Sequence, residues 1–338
     1  VYKRQPIRFR DDEHLMQIID KIVSSIGRRV DESSPMVDAR LEDGSRVNVI
    51  IPPLALDGPI LSIRKFGQKA LTIDDLISSN TLPAEIAAYL EAAVKSKLNI
   101  LISGGTGAGK TTLLNILAGY IPDNERIITI EDTAEIMLPI EHWIRLETRP
   151  PGIEGEGEID MDTLLKNSLR MRPDRVVVGE VRGSEAFTLF TAMNTGHDGC
   201  MGTVHANNAQ ETAVRLISPP MNVPETMLSA LDLILVQKRI HDRRKGTIRR
   251  ISEVAELTGV LEGEPKFTYL YEWDAATDTI KANYETSKYL QGLSRFTGVS
   301  TTQIREEINR RESYIKDMVK KNVKGMKAVC AEIHRLVG

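Results

Sequence analysis

Apolar and polar positions alternate on two periods along the first 75 residues. "DDEHLMQIIDKIVSSIG" repeats its apolar positions three and four apart and predicts a helix. "PMVDARLEDGSRVNVIIPP" alternates residue by residue. Met36, Asp38 and Arg40 share one face, a turn falls at Asp43-Gly44, and the alternation resumes from Arg46 to Ile50, which predicts a hairpin. "PILSIRKF" predicts a further strand, so residues 1–75 read as a small α+β domain. The polar "GQKALTIDDLISSNTLP" follows as a connector, with the linker placed at residues 76–84, before a helix over Ala84 to Lys95.

From about residue 97 the pattern changes to short apolar runs: "NILISG", "RIITIED", "WIRLETR", "RVVVGEV", "CMGTVHA" and "LILVQKRI". Helices are predicted between them over Lys110 to Ala118, Asp162 to Arg170 and Ser184 to Asn194. Runs this apolar, bounded by glycine and alternating with helices, belong to a sheet covered on both faces, an α/β core over residues 85–262. Residues 263–338 begin with the hairpin-like "KFTYLYEWDAATDTIKANY" and continue as helices. A capping box, Ser300 with Gln303, opens the last long one. Its apolar stripe, Ile304, Ile308, Ile315 and Met318, is narrow, which suits a packing or partner-binding appendage.

Composition changes this picture little. A chain of 338 residues implies two or more domains, and a net charge of -3 offers no global argument for a nucleic-acid or membrane partner. Two cysteines, Cys200 and Cys330, build no disulfide framework and fit a reducing compartment. The apolar runs fall short of the roughly 20 residues of a membrane span, and no signal pattern opens the chain, so a soluble cytoplasmic protein is expected. The chain begins with Val1 rather than Met, which leaves room for residues upstream.

The strongest chemistry lies in "GGTGAGKTT": Gly104, Gly105, Thr106, Gly107, Ala108, Gly109, Lys110, Thr111 and Thr112. This is G-x-x-x-x-G-K-[ST] between a strand and a helix. Its glycines let backbone N–H groups turn around phosphate oxygens, and the helix N-terminus adds partial positive charge. Lys110 suits the β and γ phosphates of a nucleoside triphosphate, and the Thr111 hydroxyl suits Mg2+. A glycine turn joining strand to helix without ligand is the bland alternative, and the flanking pattern argues against it.

Hydrolysis needs further acids. "DRVVVGEVRG" places Glu180 at the end of a buried strand, and "IITIEDTAEI" places Glu131, Asp132 and Glu135 at the end of another. Three acids beside a triphosphate repel it unless metal or water intervenes, so a catalytic role is the better account of the group. In "TGHDGCMGTVHANN", His197 and His205 are ordinary polar residues or phosphate sensors; with Cys200 they lack the ligand number and spacing of a zinc site.

"GGTGAGKTT", "TIEDTAEI", "RMRPDRVVVGEVRG" and "NTGHDGCMGTVHANN" follow one another in that order, and together they resemble the four boxes of the type II and type IV secretion, pilus and archaellum assembly ATPases. "DARLEDGSRVNVIIPPLALDGPILSIRKF" resembles that superfamily's N-terminal domain, so the likeness spans about residues 5 to 260. The chain most resembles the branch of tight-adherence and archaeal pili or archaella, and two cysteines cannot build the four-cysteine zinc module of some assembly ATPases, which favours the pilus, tight-adherence or archaeal branches over the classical type II exporters. The resemblance implies a RecA-like P-loop NTPase core with a PAS-like N-terminal α+β domain and a C-terminal helical appendage. It implies ATP and Mg2+ as ligands, the metal on Thr111 and, partly through water, Glu180. Glu135 would orient the attacking water, with Glu131 in the same acidic box. His205 would meet the γ-phosphate, and Arg46 and Arg64, with Arg40 beside them, would approach it when the two domains close. Arg182 would pair with an acid across an interface.

The function so implied is a homo-hexameric ATPase, peripheral at the cytoplasmic face of the membrane. It would push on a polytopic platform protein and, through it, on pilin-like subunits. A nucleic-acid translocase on the same core is the competing function. The basic run "QKRIHDRRKGTIRR" would be its track, but the run lacks the aromatics that stack single-stranded bases, so no nucleic acid is expected. Acidic loops of a membrane partner are an equal use for it.

Overall fold

Asp11 starts the first helix, α1 (Asp12–Ser25), by accepting the His14 backbone N–H at 2.7 Å. Asp12 and Glu13 in its first turn complement the positive helix end. In the computed structural model, which describes residues 7–65, 71–150, 156–242, 245–261, 264–283 and 287–337, α1 packs on an antiparallel sheet. The sheet runs β1 (Met36–Arg40), β2 (Arg46–Ile50), β3 (Ile60–Arg64). The hairpin turn is where the sequence places it: Gly44 is left-handed at φ 85°, and Asp43 accepts the Ser45 N–H at 2.9 Å. Val37, Val47 and Val49 face Ile19 and Val23 of the helix. Because strand side chains alternate, the opposite face carries two in-register rows, Met36–Ile50–Ile60 and Arg40–Arg46–Arg64.

The chain divides into two compact units, Val1–Ala70 and Leu71–Gly338. This line falls earlier than the boundary expected at residue 75, and the expected linker 76–84 is not a plain connector. It contains the end of α2 (Ile73–Ser78), a helix that Thr72 and Asp75 open with a reciprocal capping box. Then comes α3 (Ala84–Lys95), with Ile86, Leu90 and Val94 buried.

Among the described residues, the second unit is built on nine strands. In chain order it runs β4 (Ile100–Ser103), α4 (Lys110–Ala118), β5 (Ile127–Glu131), β6 (Trp143–Glu147), α5 (Met161–Ser168) and β7 (Arg175–Val181). It continues through α6 (Glu185–Asn194), β8 (Met201–Val204), α7 (Ala209–Ile217), β9 (Leu233–Asp242) and β10 (Gly246–Leu261). The last elements are β11 (Glu264–Asp274), β12 (Thr279–Ala282), α8 (Lys288–Thr297), α9 (Thr301–Lys320) and α10 (Met326–Val337). The sheet order is β12-β11-β10-β9-β4-β8-β7-β5-β6, parallel from β9 to β6 and antiparallel from β9 to β12. Both faces are covered. Ile100 and Ile102 of β4 pack with Leu113 and Leu117 of α4 on one side, while Leu101 packs with Leu165, Phe190 and Leu216 of α5, α6 and α7 on the other.

Three features depart from the sequence expectation. The helix α7 was not anticipated: its buried positions Ala209, Thr212, Ala213 and Leu216 fall on one helical face, but only Leu216 among them is a large apolar residue. Nor was the 16-residue strand β10, whose buried Arg250 and Glu256 disguise it. Finally, the hairpin β11–β12, expected in a separate region after residue 262, extends the core sheet, and Leu270 and Tyr271 lie in the same apolar cluster as α3 and α4.

Candidate nucleotide site

Parallel strands align their C-terminal ends, so loops leaving them gather at one edge of the sheet. Ser103 at the end of β4 is in register with Val204 of β8 and Val236 of β9, and Val181 of β7 with Val204. The glycine loop, His205, Glu180 and the acidic loop after β5 therefore all leave that edge. Parallel pairing, not sequence proximity, brings them together.

The glycine loop requires its glycines. A Cβ on Gly104 would sit 2.3 Å from the Gln237 backbone oxygen. Gly107 and Gly109 are left-handed at φ 71° and 104°, with Gly109 as the N-cap residue of α4. Ala108 is buried beneath the loop, Gly105 faces open space, and Thr111 and Thr112 are half-buried in the first turn of α4. Lys110 donates from Nζ to the Gly104 carbonyl at 2.9 Å and lies 3.9 Å from Glu180 Oε1. Burial lowers its pKa, and Glu180 opposes that shift. A turn of open backbone with a half-buried ammonium fits a polyphosphate better than a bare connection would.

Glu180 sits where β7 breaks register between Val178 and Val181. The Thr203 hydroxyl donates to the Gly179 carbonyl at 2.7 Å and pins that irregularity. Arg182 donates to Glu180 and lies 3.6 Å from Asp132, bridging two acids of its own chain. Glu131 is only 2 % exposed; its Oε1 accepts the N–H groups of Glu135 and Ile136 at 2.8 and 3.0 Å, and its Oε2 has no partner. Burial raises its pKa. Gly179 makes room for it, since a Cβ there would lie 2.9 Å from Glu131 Cγ. Glu131 thus holds the shape of the acidic loop, and Glu135 is half-exposed further along it.

The two histidines separate. His205 is half-buried just after β8, on the loop edge, whereas His197 precedes β8 at the opposite edge, with its backbone oxygen accepting the Cys200 thiol. Burial pushes that thiol up to about 12. Arg46 and Arg64 belong to the first unit, in one row with Arg40. The sequence reading missed Gln237, Arg239 and Arg249. They lie against the glycine loop, and the basic run was the signal that pointed to them.

The fold and this edge define a P-loop nucleotide-binding α/β protein. A model of the type II/IV secretion system protein family matches residues 2–324, and the chain belongs to that family, the secretion ATPases. It is 36% identical over 264 residues to a putative conjugal transfer protein of Mycobacterium tuberculosis, covering 75% of each chain. A Methanocaldococcus jannaschii protein without assigned function is 50% identical over 198 residues, which are 56% of this chain and 27% of that one, so the chain spans about a quarter of that relative. Among solved structures, the pilus retraction motor PilT with bound ADP superposes with a TM-score of 0.52 at 24% identity, over 72% of this chain and 69% of that one. The ATPase DotB of Legionella pneumophila gives 0.52 at 21%, over 74% and 71%. These two show the fold, a RecA-like mixed α/β core.

Proposed function

We propose that this chain hydrolyses ATP and, as a homo-hexameric ring at the cytoplasmic face of the membrane, turns that hydrolysis into movement of a polytopic platform protein. The movement would add or remove pilin-like subunits, or drive secretion. The tight-adherence and archaeal-pilus branch is the branch proposed. The observation that carries this reading is the single edge at which Lys110 lies 3.9 Å from Glu180, with the glycine loop, the acidic loop and His205 leaving the same strand ends.

In this reading backbone N–H groups of residues 104–111 and the Lys110 ammonium bind the polyphosphate. Thr111 and Glu180 would hold Mg2+, which when bound neutralises charge on the phosphate oxygens. Glu131 positions the acidic loop so that Glu135 orients the attacking water. His205 hydrogen-bonds the terminal phosphate and registers its loss. Arg46 and Arg64 are the further cations of this reading, acting on the charge of the terminal phosphate. The translocase alternative weakens, because on the basic run Arg250 is held by Asp278 at 2.7 Å and Arg249 by the glycine loop; Arg243 and Arg244 lie outside the described residues.

The test is steady-state phosphate release by the intact chain. Lys110→Ala and Glu180→Gln are each expected to lower turnover at least about tenfold without changing the fold, since both act on transferring charge. Near-normal turnover in either removes that residue. Stimulation by single-stranded DNA and not by platform-protein loops would replace the motor reading with the translocase one.

A further inference from the structure

The basic hairpin contains two kinds of cation. Lys238 lies 3.9 Å from Glu253, Lys245 is 3.0 Å from Asp278, and Arg250 is 2.7 Å from the same aspartate. Arg239 and Arg249 differ: they stand directly opposite each other on β9 and β10, both exposed, and among the described residues neither has a carboxylate at ion-pair distance. Like charges opposed across a ladder destabilise it.

What they touch is the glycine loop. Arg249 Nε donates to the Gly107 carbonyl at 3.2 Å, and Arg239 Nη1 lies 3.0 Å from the position a Cβ on Gly107 would take. Beneath them Gln237, 1 % exposed, sets its Nε2 3.1 Å from the corresponding position on Gly109 and leaves Oε1 without a partner. The loop thus has two unlike flanks: acids on the β7 and β5 side, and an uncompensated pair of guanidinium groups on the β9 side. Guanidinium groups with no acid of their own, placed beside a glycine loop of the kind whose N–H groups gather anions, suit a multiply charged anion shared with that loop.

We propose that Arg239 and Arg249 are nucleotide-binding residues: a cationic bracket, seated on Gln237, that grips the polyphosphate of the nucleotide bound in the same chain. This rests on the ATP-hydrolysis reading above. It turns the basic run from a track or partner surface into the second wall of the phosphate site.

Calorimetric titration of the intact chain with ATP, ADP and AMP tests it. The double variant Arg239→Gln/Arg249→Gln is expected to weaken ATP and ADP at least about tenfold and AMP by less than about threefold, because charge-assisted bonds scale with phosphate charge. Arg249→Lys should recover most of the Arg249→Gln loss, and Lys238→Gln should stay within about twofold of the unmodified chain, its charge being spent on Glu253. Arg249→Gln retains a side-chain N–H for the Gly107 carbonyl but no charge, so ATP affinity unchanged in the double glutamine variant overturns the proposal. Equal losses for ATP and AMP, the mark of a distorted loop, overturn it too. If the double variant fails to fold, Arg239→Gln alone, which breaks no bond to the loop, carries the same comparison. Absence of ATP binding by the unmodified chain would remove the hydrolysis reading and the bracket together, whereas binding undiminished by the variants removes the bracket alone.

Discussion

Glu131 illustrates how burial sets chemistry at the scale of one residue. Its pKa is raised above the ordinary 4.5, chiefly by desolvation, against two backbone N–H bonds that pull it down. The neutral form is therefore the one the fold prefers. Stability from this preference is fully present below the unfolded pKa and is lost as pH rises through the higher folded one. Glu131→Gln, which keeps the accepting Oε1 and cannot ionise, should accordingly melt above the parent chain at pH 8, with the gap closing as pH falls below 4.5. Thermal melts across that range check it, and a gap that widens on acidification would contradict it. Gly199 is a second such position. It is left-handed at φ 78°, and a Cβ would sit 2.1 Å from Nη1 of Arg175, a side chain with no room to retreat. Gly199→Ala should cost more than about 2 kcal/mol in urea unfolding, from strain and a displaced buried charge together. Arg46→Ala is expected to leave ATP binding nearly intact and to slow hydrolysis; single-turnover rates distinguish the two, and an unchanged rate would place this arginine away from the phosphate.

At the scale of elements, strands are held by buried charges whose partners the sequence scatters widely. Arg175, at the start of β7, is fully buried and donates to Glu125, ahead of β5, at 2.6 and 3.2 Å. Removing one partner of such a pair strands the other. Glu125→Ala should destabilise by about 3–5 kcal/mol, whereas an exposed pair such as Lys316–Glu312 should be worth less than about 1 kcal/mol. The same logic holds β10 in place. Glu256 accepts from the Ser287 hydroxyl and the Lys288 N–H, each at 2.7 Å, while Arg250 is satisfied by Asp278. Charged residues on a central strand look like loop in a linear reading, because the partners that make their burial tolerable lie about thirty residues away.

At the scale of the whole molecule, the second unit's sheet runs well past the residue at which the apolar runs end. A chain ended at Leu261 would lose Leu270 and Tyr271 from the core, about 1.5–3 kcal/mol each, and should be insoluble. One ended at Lys320 loses only α10 and the turn before it. Met326, at 84 % exposure, and Ile333, at 45 %, mark α10 as lightly packed, so this shorter chain should melt within a few degrees of the full one. Solubility and calorimetry of the two truncations check the pair. No helix among the described residues is long and apolar enough to cross a membrane.

By itself the sequence determined the elements whose signal is local. The bounds of α4 and β7 follow directly from apolar periodicity and glycine punctuation, and the glycine loop from a motif whose chemistry is carried by the backbone. The fold family too was legible, in the order of four motifs. Only the tertiary structure decided which chemistry meets which: that Glu131 is buried and Glu180 faces Lys110, that the two histidines of one motif lie at opposite edges, and that Arg239 and Arg249 rest on the loop. The physical reason is that parallel strands adjacent in the sheet are far apart in the chain. β4 lies between β8 and β9, and no periodicity along the chain records that neighbourhood.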